Sequence, residues 1–425
     1  MNIKKLNIVG LRAYETANFD FEPGMNLLVG INGVGKTTVL DALRICLSQI
    51  LPEITASRNR KESFSISDIK IGSESLQVSC DFEVAGLNFS LLNYRQRESI
   101  HIKETEDIRD QTEEISDKET ITPSLKEALP NASSETVQPI GIFYSTKRSL
   151  ISKRDVMKSS SVGGQAAAFA DALSSNREFN VRTFADWYRV QRILGLENPA
   201  AKKNLEVLKN AVYRFMPGFS DLQTVITTGG SAFTIIKSKV KLNINQLSDG
   251  ERGMLSLVLD IARRLAQANP GLEDPLANGK GVILIDELDL HLHPKWQRTI
   301  VENLTRVFPN CQFIATTHSP QIIGEVQPNS ITVIDNGTFK PANSYGIDSS
   351  RVLEEILDTP ARNATINEML NAVYKSIDSQ NLDVAKKQLS KVIEILGPDD
   401  PEVTRSSTMI TFLEDDLTDE TDKEK

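Results

Sequence analysis

Gly30-Ile31-Asn32-Gly33-Val34-Gly35-Lys36-Thr37 follows the pattern G-x-x-x-x-G-K-[ST], with an apolar run before it and a helix-forming run after it. Glycines at these positions let successive backbone N–H groups curl around phosphate oxygens, and the helix that follows adds its positive N-terminal end. Lys36 supplies a cation for the outer phosphates, and Thr37 supplies a hydroxyl for Mg²⁺. The residues expected to contact a nucleotide are Asn32, Gly33, Val34, Gly35, Lys36, Thr37 and Thr38, with ATP and Mg²⁺ as the ligands. With glycine at roughly 7% of residues in ordinary chains, so long a pattern seldom arises by chance.

Two more segments end in chemistry of the same kind. Val282-Ile283-Leu284-Ile285 precedes Asp286-Glu287, the form of a buried parallel strand that delivers two carboxylates at its end. Asp286 is expected to hold Mg²⁺, and Glu287 to orient and deprotonate the attacking water. Phe313-Ile314-Ala315-Thr316-Thr317 leads to His318, placed where a sensor of the γ-phosphate would stand. The chain has four histidines, and His291, His293 and His318 all fall in or after these strand ends. The spacing of His291 and His293 also fits a metal pair, although the sequence offers no third ligand nearby.

Leu247-Ser248-Asp249-Gly250-Glu251-Arg252 opens the helical run that begins near Met254. That puts Ser248 and the Gly250 N–H at a helix N-terminus, a second place for phosphate. Alone, such a segment reads as an ordinary capped helix. Its place about 35 residues before Asp286 favours the phosphate reading. One γ-phosphate cannot easily use two cradles from opposite ends of one subunit, so this cradle is expected to cover a nucleotide held by a second copy.

The elements that must position these residues can be read at low resolution. Residues 2–9 and 15–21 read as paired strands, and Glu22-Pro23-Gly24 as the turn into a third strand at 25–29. The period-two alternation of Val78, Cys80, Phe82 and Val84 predicts an antiparallel β lobe at about 76–103. An acidic insertion at about 104–136 follows, then a buried strand at 140–144 and a polar-rich helical region at about 149–216. Thr228-Gly229-Gly230-Ser231 marks a hairpin. These parts make an ATPase domain of residues 1–345. Ile366, Leu370, Val373 and Ile377 share a helix face, as do Ala385, Leu389, Val392 and Leu396, so a small helical module is expected at 346–413. Such a module reads equally as a stabilising cap or a docking surface. Residues 414–425 read as a disordered acidic tail.

With 40% hydrophobic and 25% charged residues, the 425-residue chain has the composition of a soluble globular protein. No apolar run reaches the roughly 20 residues needed to span a bilayer, and the N-terminus does not read as a signal peptide. Cys46, Cys80 and Cys311 are too scattered for a disulfide framework. Both points predict a cytoplasmic protein without membrane contact. The net charge of −9 argues against a surface coated in phosphate-binding residues, while leaving local nucleic-acid contacts open.

Taken together, GINGVGKT, LSDGER, LIDELDLHLHP and TTHSPQ resemble the ABC-type ATPase family that includes SMC, RecF-like and OLD-like proteins. The resemblance covers about residues 1–320. It implies an α/β fold: a P-loop NTPase with a mixed central sheet, an antiparallel β lobe, a helical lobe and a small C-terminal helical module. It also implies Lys36, Thr37, Asp286, Glu287 and His318 acting in cis and Ser248 and Gly250 in trans. Arg12 follows the first strand where relatives place a nucleotide-contacting basic residue. The glutamine of the Q-loop is not assignable, since Gln96 and the Thr146-Lys147-Arg148 segment compete for that place.

The departures narrow the function. The interval 147–246 is short and shows no sustained heptad, which argues against a chromosome-spanning clamp. After His318 the chain shows no carboxylate cluster on strands, so it carries no visible nuclease of its own. DELDLHLHPKWQ, YSTKRS and YGIDSSRVLEEIL resemble the PtuA-type ATPases of Septu and retron-linked anti-phage systems. That likeness implies a homo-oligomer built on head-to-tail dimers, paired with an HNH nuclease of the PtuB type. The competing expectation is a RecF-like DNA-maintenance ATPase that acts without a nuclease. A transporter energy subunit fits poorly, because Glu287-Leu288-Asp289 stands where such subunits carry E-P-T.

Overall fold

The structure is a computed structural model, and it describes residues 1–97, 118–122, 137–146, 164–175, 181–227, 230–335 and 338–423. Of the acidic insertion, only 118–122 lies among them. Lys147, Arg148, Thr228 and Gly229, together with much of the expected helical region before residue 181, lie outside the described residues. The described residues form two compact units, Met1–Val352 and Leu353–Lys425. The division falls at 352/353, within the helix Ser349–Glu355, whose Val352 is fully buried.

The first unit is organised by two sheets. One has the order β14-β13-β3-β12-β11-β7, formed by β3 (Met25–Val29), β7 (Ile140–Tyr144), β11 (Gly281–Ile285), β12 (Cys311–Thr317), β13 (Ile331–Asp335) and β14 (Thr338–Pro341). It is parallel except for β14. β3, β7, β11 and β12 are buried along their whole length, as continuous apolar runs in a parallel sheet should be. The parallel register carries Ile285, Tyr144, Ala315 and Leu27 level with one another, so the segments that follow β3, β7, β11 and β12 all emerge at one edge.

The second sheet is antiparallel, in the order β2-β1-β4-β5-β6. Its strands are β1 (Asn2–Leu11), β2 (Tyr14–Asp20), β4 (Ser75–Val84), β5 (Leu87–Gln96) and β6 (Lys118–Thr122). The alternation expected around Val78 puts Leu76, Val78, Cys80 and Phe82 inside. β6 extends this lobe with a strand drawn from the acidic insertion. Helix α1 (Lys36–Ile54) belongs to the same core as both sheets, which explains why it is buried nearly all round. Gln312 stitches the layers: it accepts from the Ile3 amide at 2.7 Å and donates to the Ile3 carbonyl at 2.8 Å.

The helical part contains α2 (Val181–Leu194), α3 (Pro199–Phe215) and α4 (Asp249–Ala268). A small antiparallel sheet, β8 (Phe219–Thr227), β9 (Gly230–Lys237) and β10 (Val240–Asn243), runs from α3 towards α4. Helix α5 (Pro294–Val307) lies between β11 and β12 in the chain. α4 is anchored by charge: buried Asp260 accepts from Tyr144 at 2.8 Å and from Arg264 Nε at 3.1 Å. This anchor ties the helix to the strand end that neighbours Asp286.

The second unit corrects the expected C-terminus. After α6 (Ser349–Glu355) come three helices and not two: α7 (Ala364–Asp378), α8 (Leu382–Leu396) and α9 (Pro401–Lys423). Residues expected to form a disordered tail from 414 onward continue α9 as far as Lys423. Pro401 opens the helix where a proline fits, and Asp400 caps it by accepting from the Glu402 amide at 2.9 Å. Val403 and Ile410 share a core with Leu370, Val373, Leu389 and Val392. Two buried turns of α9 thus carry the acidic residues along as helix. Among the described residues, no helix is long and apolar enough to cross a membrane.

Candidate functional site

The edge where β3, β11 and β12 end gathers the residues singled out in the sequence. Gly35 adopts φ 99° at the start of α1, a conformation natural to glycine, and an added Cβ would stand 2.7 Å from the Tyr14 hydroxyl. Tyr14 therefore forms a floor under the loop. Asn32 and Gly33 are exposed, Val34 is half-buried and Thr38 is buried. Lys36 is buried too, and its ammonium donates to the Gly30 and Ile31 carbonyls at 2.8 Å each. These bonds fold the loop around its own lysine.

Thr37 Oγ1 lies 3.4 and 3.1 Å from the two carboxylate oxygens of Asp286. A hydroxyl beside a carboxylate is a hard-oxygen pair, suited to Mg²⁺ completed by water and phosphate oxygens. The Asp286 backbone donates to the Tyr144 carbonyl at 2.8 Å, fixing the end of β11. Glu287 has φ 51°, unusual for a residue with a side chain. Two bonds hold it there: its amide donates to Thr316 Oγ1 at 2.7 Å, and the Leu288 amide donates to the Thr316 carbonyl at 2.8 Å. Thr316 Oγ1 in turn donates to Asp286 Oδ1 at 2.7 Å, so one buried hydroxyl orients both acids.

His318 is half-buried next to this cluster. Burial, and then the Lys36 charge, lower its pKa against the opposing pull of Asp289, Glu287 and Asp286. The balance favours the neutral imidazole. Lys36 is likewise lowered by burial, while Asp286, Glu287 and Asp289 work to raise it. Asp289 binds the His318 segment directly, accepting from Thr317 Oγ1 at 2.6 Å and from the His318 amide at 3.3 Å.

Arg12, also at positive φ, is held in a clamp of two carboxylates. It reaches Asp41 at 2.7 Å, one turn beyond Thr37 on α1, and Asp68 at 2.9 Å. Burial alone would lower its pKa, but the two acids raise it on balance. Ser248 is the exposed N-cap of α4 and accepts from the Glu251 amide at 3.3 Å. Gly250 is buried against the loop after the acid pair, where a Cβ would come within 2.5 Å of the His291 carbonyl. Only glycine fits there. The structure thus brings Lys36, Thr37, Asp286, Glu287 and His318 into one cluster, with Arg12 anchored on α1 and Ser248 at an exposed helix end.

A family model described as "AAA domain, putative AbiEii toxin, Type IV TA system" matches residues 25–324, which contain this whole cluster. The chain belongs to that family. It is 25% identical to the "Retron Ec83 probable ATPase" of Escherichia coli, over 94% of this chain and 85% of that one. It is 28% identical to the "Retron Vc95 probable ATPase" of Vibrio cholerae serotype O1 biovar El Tor, over 89% and 84% of the two chains. It is 22% identical to the "Septu protein PtuA" of Bacillus thuringiensis, over 94% and 95%. The chain is a P-loop ATPase of that family, similar along most of its length to ATPases named for retrons and to a Septu protein.

The remaining sequence expectations fare unevenly. His293 is the N-cap of α5, its Nδ1 accepting from the Lys295 amide at 3.2 Å, and the described residues contain no group of three ligands able to hold a metal ion. The histidine pair is thus explained by a helix cap and a left-handed turn residue, His291 at φ 60°. Of the two Q-loop candidates, Gln96 ends β5 in the antiparallel lobe, whereas Ser145 and Thr146 directly follow the carbonyl that accepts from Asp286. Sequence reasoning passed over Thr316, Asp289 and Tyr14. The first two were visible as polar residues at the end of an apolar strand and two places beyond the acid pair. Tyr14 carried no sequence signal.

Proposed function

We propose that this chain is a cytoplasmic defence ATPase whose nucleotide state gates a partner HNH nuclease. In this reading, Mg²⁺·ATP binds residues 30–38 of one copy and is covered by Ser248 and Gly250 of another, in head-to-tail dimers that build a larger homo-oligomer. The observation that carries the reading is the cis cluster of Lys36, Thr37, Asp286, Glu287 and His318, with Ser248 exposed on a preformed helix N-terminus. The likeness to retron and Septu ATPases along nearly the whole chain supports the defence assignment.

The geometry supports the following roles. Lys36 leaves the Gly30 and Ile31 carbonyls for the outer phosphates. Thr37 and Asp286 would hold Mg²⁺, which would supply positive charge against the phosphates. Glu287, fixed through Thr316, takes the proton from the attacking water. His318, neutral and tethered through Asp289, hydrogen-bonds the γ-phosphate. Arg12, braced between Asp41 and Asp68, contacts the nucleotide.

The test is co-expression with the adjacent gene. A nuclease that co-purifies, and whose plasmid cleavage differs between ATP and ADP, is the expected result. Absence of any co-purifying protein, with ATPase activity stimulated by DNA alone, would sink the gating proposal and favour a DNA-maintenance role.

A further inference from the structure

The first turn of α4 carries two acids, Asp249 and Glu251, in the segment assigned above to a neighbour's γ-phosphate. Carboxylates suit the positive end of a free helix, but the same charges oppose an arriving triphosphate. The two acids are balanced in different ways. Asp249 is exposed and pairs with Arg252 in the same helix, an arrangement that water screens. The Glu251 side chain is only 9% exposed, and its two oxygens have separate partners. Oε2 accepts from the Ser248 amide at 3.2 Å and closes the capping box, while Oε1 meets the Lys237 ammonium at 2.6 Å.

Lys237 does not belong to α4. It is the last residue of β9, and its ammonium stands 5.8 Å over the Phe219 ring. A continuous line of contacts therefore runs from the small sheet through Lys237 and Glu251 to Ser248. Glutamine would cap the helix as well as glutamate does. With glutamate in place, the charge beneath the Ser248 turn depends on a cation supplied by another element.

We infer that Lys237 is a positioning residue of the ATPase: it neutralises Glu251 and pins the capping box, so that the Ser248 turn can receive the nucleotide of a second copy. This rests on the trans assignment of Ser248 and Gly250. It predicts that Lys237 acts on assembly of the shared site and not on ATP binding by one copy.

The experiment measures steady-state ATPase rate against protein concentration for the full chain, with binding of a fluorescent ATP analogue measured in parallel. Lys237→Gln should shift the half-maximal concentration upward by roughly tenfold, the scale of one lost charge-assisted hydrogen bond, with analogue affinity per copy unchanged. Lys237→Arg should stay near wild type. Lys237→Gln combined with Glu251→Gln should return most of the shift, because the uncompensated charge is gone. An unchanged concentration profile for Lys237→Gln overturns the inference, and so does a double variant as impaired as the single one, which would make Lys237 a mere strut. Ser248→Arg serves as the reference: if it hydrolyses ATP normally the trans reading itself fails, and if it is inactive while Lys237→Gln is normal, only the role of Lys237 fails.

Discussion

Replacing Thr316 by valine keeps the side-chain shape at a fully buried site and removes one hydroxyl that makes two bonds. One is a charge-assisted donation to Asp286 and the other an acceptance from the Glu287 amide, both at 2.7 Å. The first is worth about 1.5–3 kcal/mol and the second about 0.5–1.5 kcal/mol, so the substitution removes about 2–4.5 kcal/mol of interaction. Part should appear as a lower unfolding midpoint without nucleotide. The rest should appear in turnover, because Glu287 is kept at positive φ by Thr316 and a freed Glu287 loses its aim on the water. If all of it were lost from the transition state, the rate would fall between about 30-fold and 2000-fold. Denaturant unfolding of the apo chain and steady-state ATPase rate at saturating ATP measure the two shares. Thr316→Ser keeps the hydroxyl and should stay close to wild type. A valine variant with unaltered midpoint and unaltered turnover, or a serine variant as damaged as the valine one, refutes the argument that this hydroxyl orients the acid pair.

Glu287→Gln should keep ATP binding and lower turnover by roughly 10²- to 10⁴-fold, the usual cost of losing a general base, as read by filter binding and phosphate release. Ser248→Arg should abolish hydrolysis while leaving ATP affinity of the isolated copy nearly intact; collapse of that affinity would show that Ser248 serves its own subunit. Because His318 is lowered below its ordinary 6.5 by burial and Lys36, turnover should be level from neutral to mildly alkaline pH and fall on the acid side. The stability sign agrees: as pH drops through 6.5 the unfolded chain takes up a proton that the folded chain resists, so this histidine's share of stability is present above that pH and lost below it. His318→Gln should remove that component from a pH series of unfolding midpoints, and an unchanged series would exclude it.

The cluster was legible because its residues are tied to local patterns. A glycine loop between strand and helix, an acid pair closing an apolar run and a histidine closing another each state their place at a sheet edge. The parallel register then levels Ile285 with Ala315 and Tyr144. The β lobe was legible for the same reason, since period-two burial of Leu76, Val78, Cys80 and Phe82 follows from the pleat. What joins the cluster was not legible. Thr316 lies next to Glu287 only because β12 pairs with β11 across 29 residues, and Tyr14 meets Gly35 only because β2 folds back under the loop. Those are tertiary facts with no local period.

The C-terminal helix shows the opposite failure, in which a local signal was read too strongly. Residues 414–424 are acidic and poor in large apolar groups, the composition of a solvated tail. A helix, however, is decided at its start and along its packed face. Asp400 caps α9 and is itself held by Arg362 at 3.1 Å, while Val403 and Ile410 bury against α7 and α8. Once those turns are formed, each further residue adds one hydrogen bond for one residue ordered. Glu414 also pairs with Lys386 on α8 at 2.5 Å. The acids are carried by a nucleus that lies upstream of them, which is why composition alone placed the end of structure about ten residues too early.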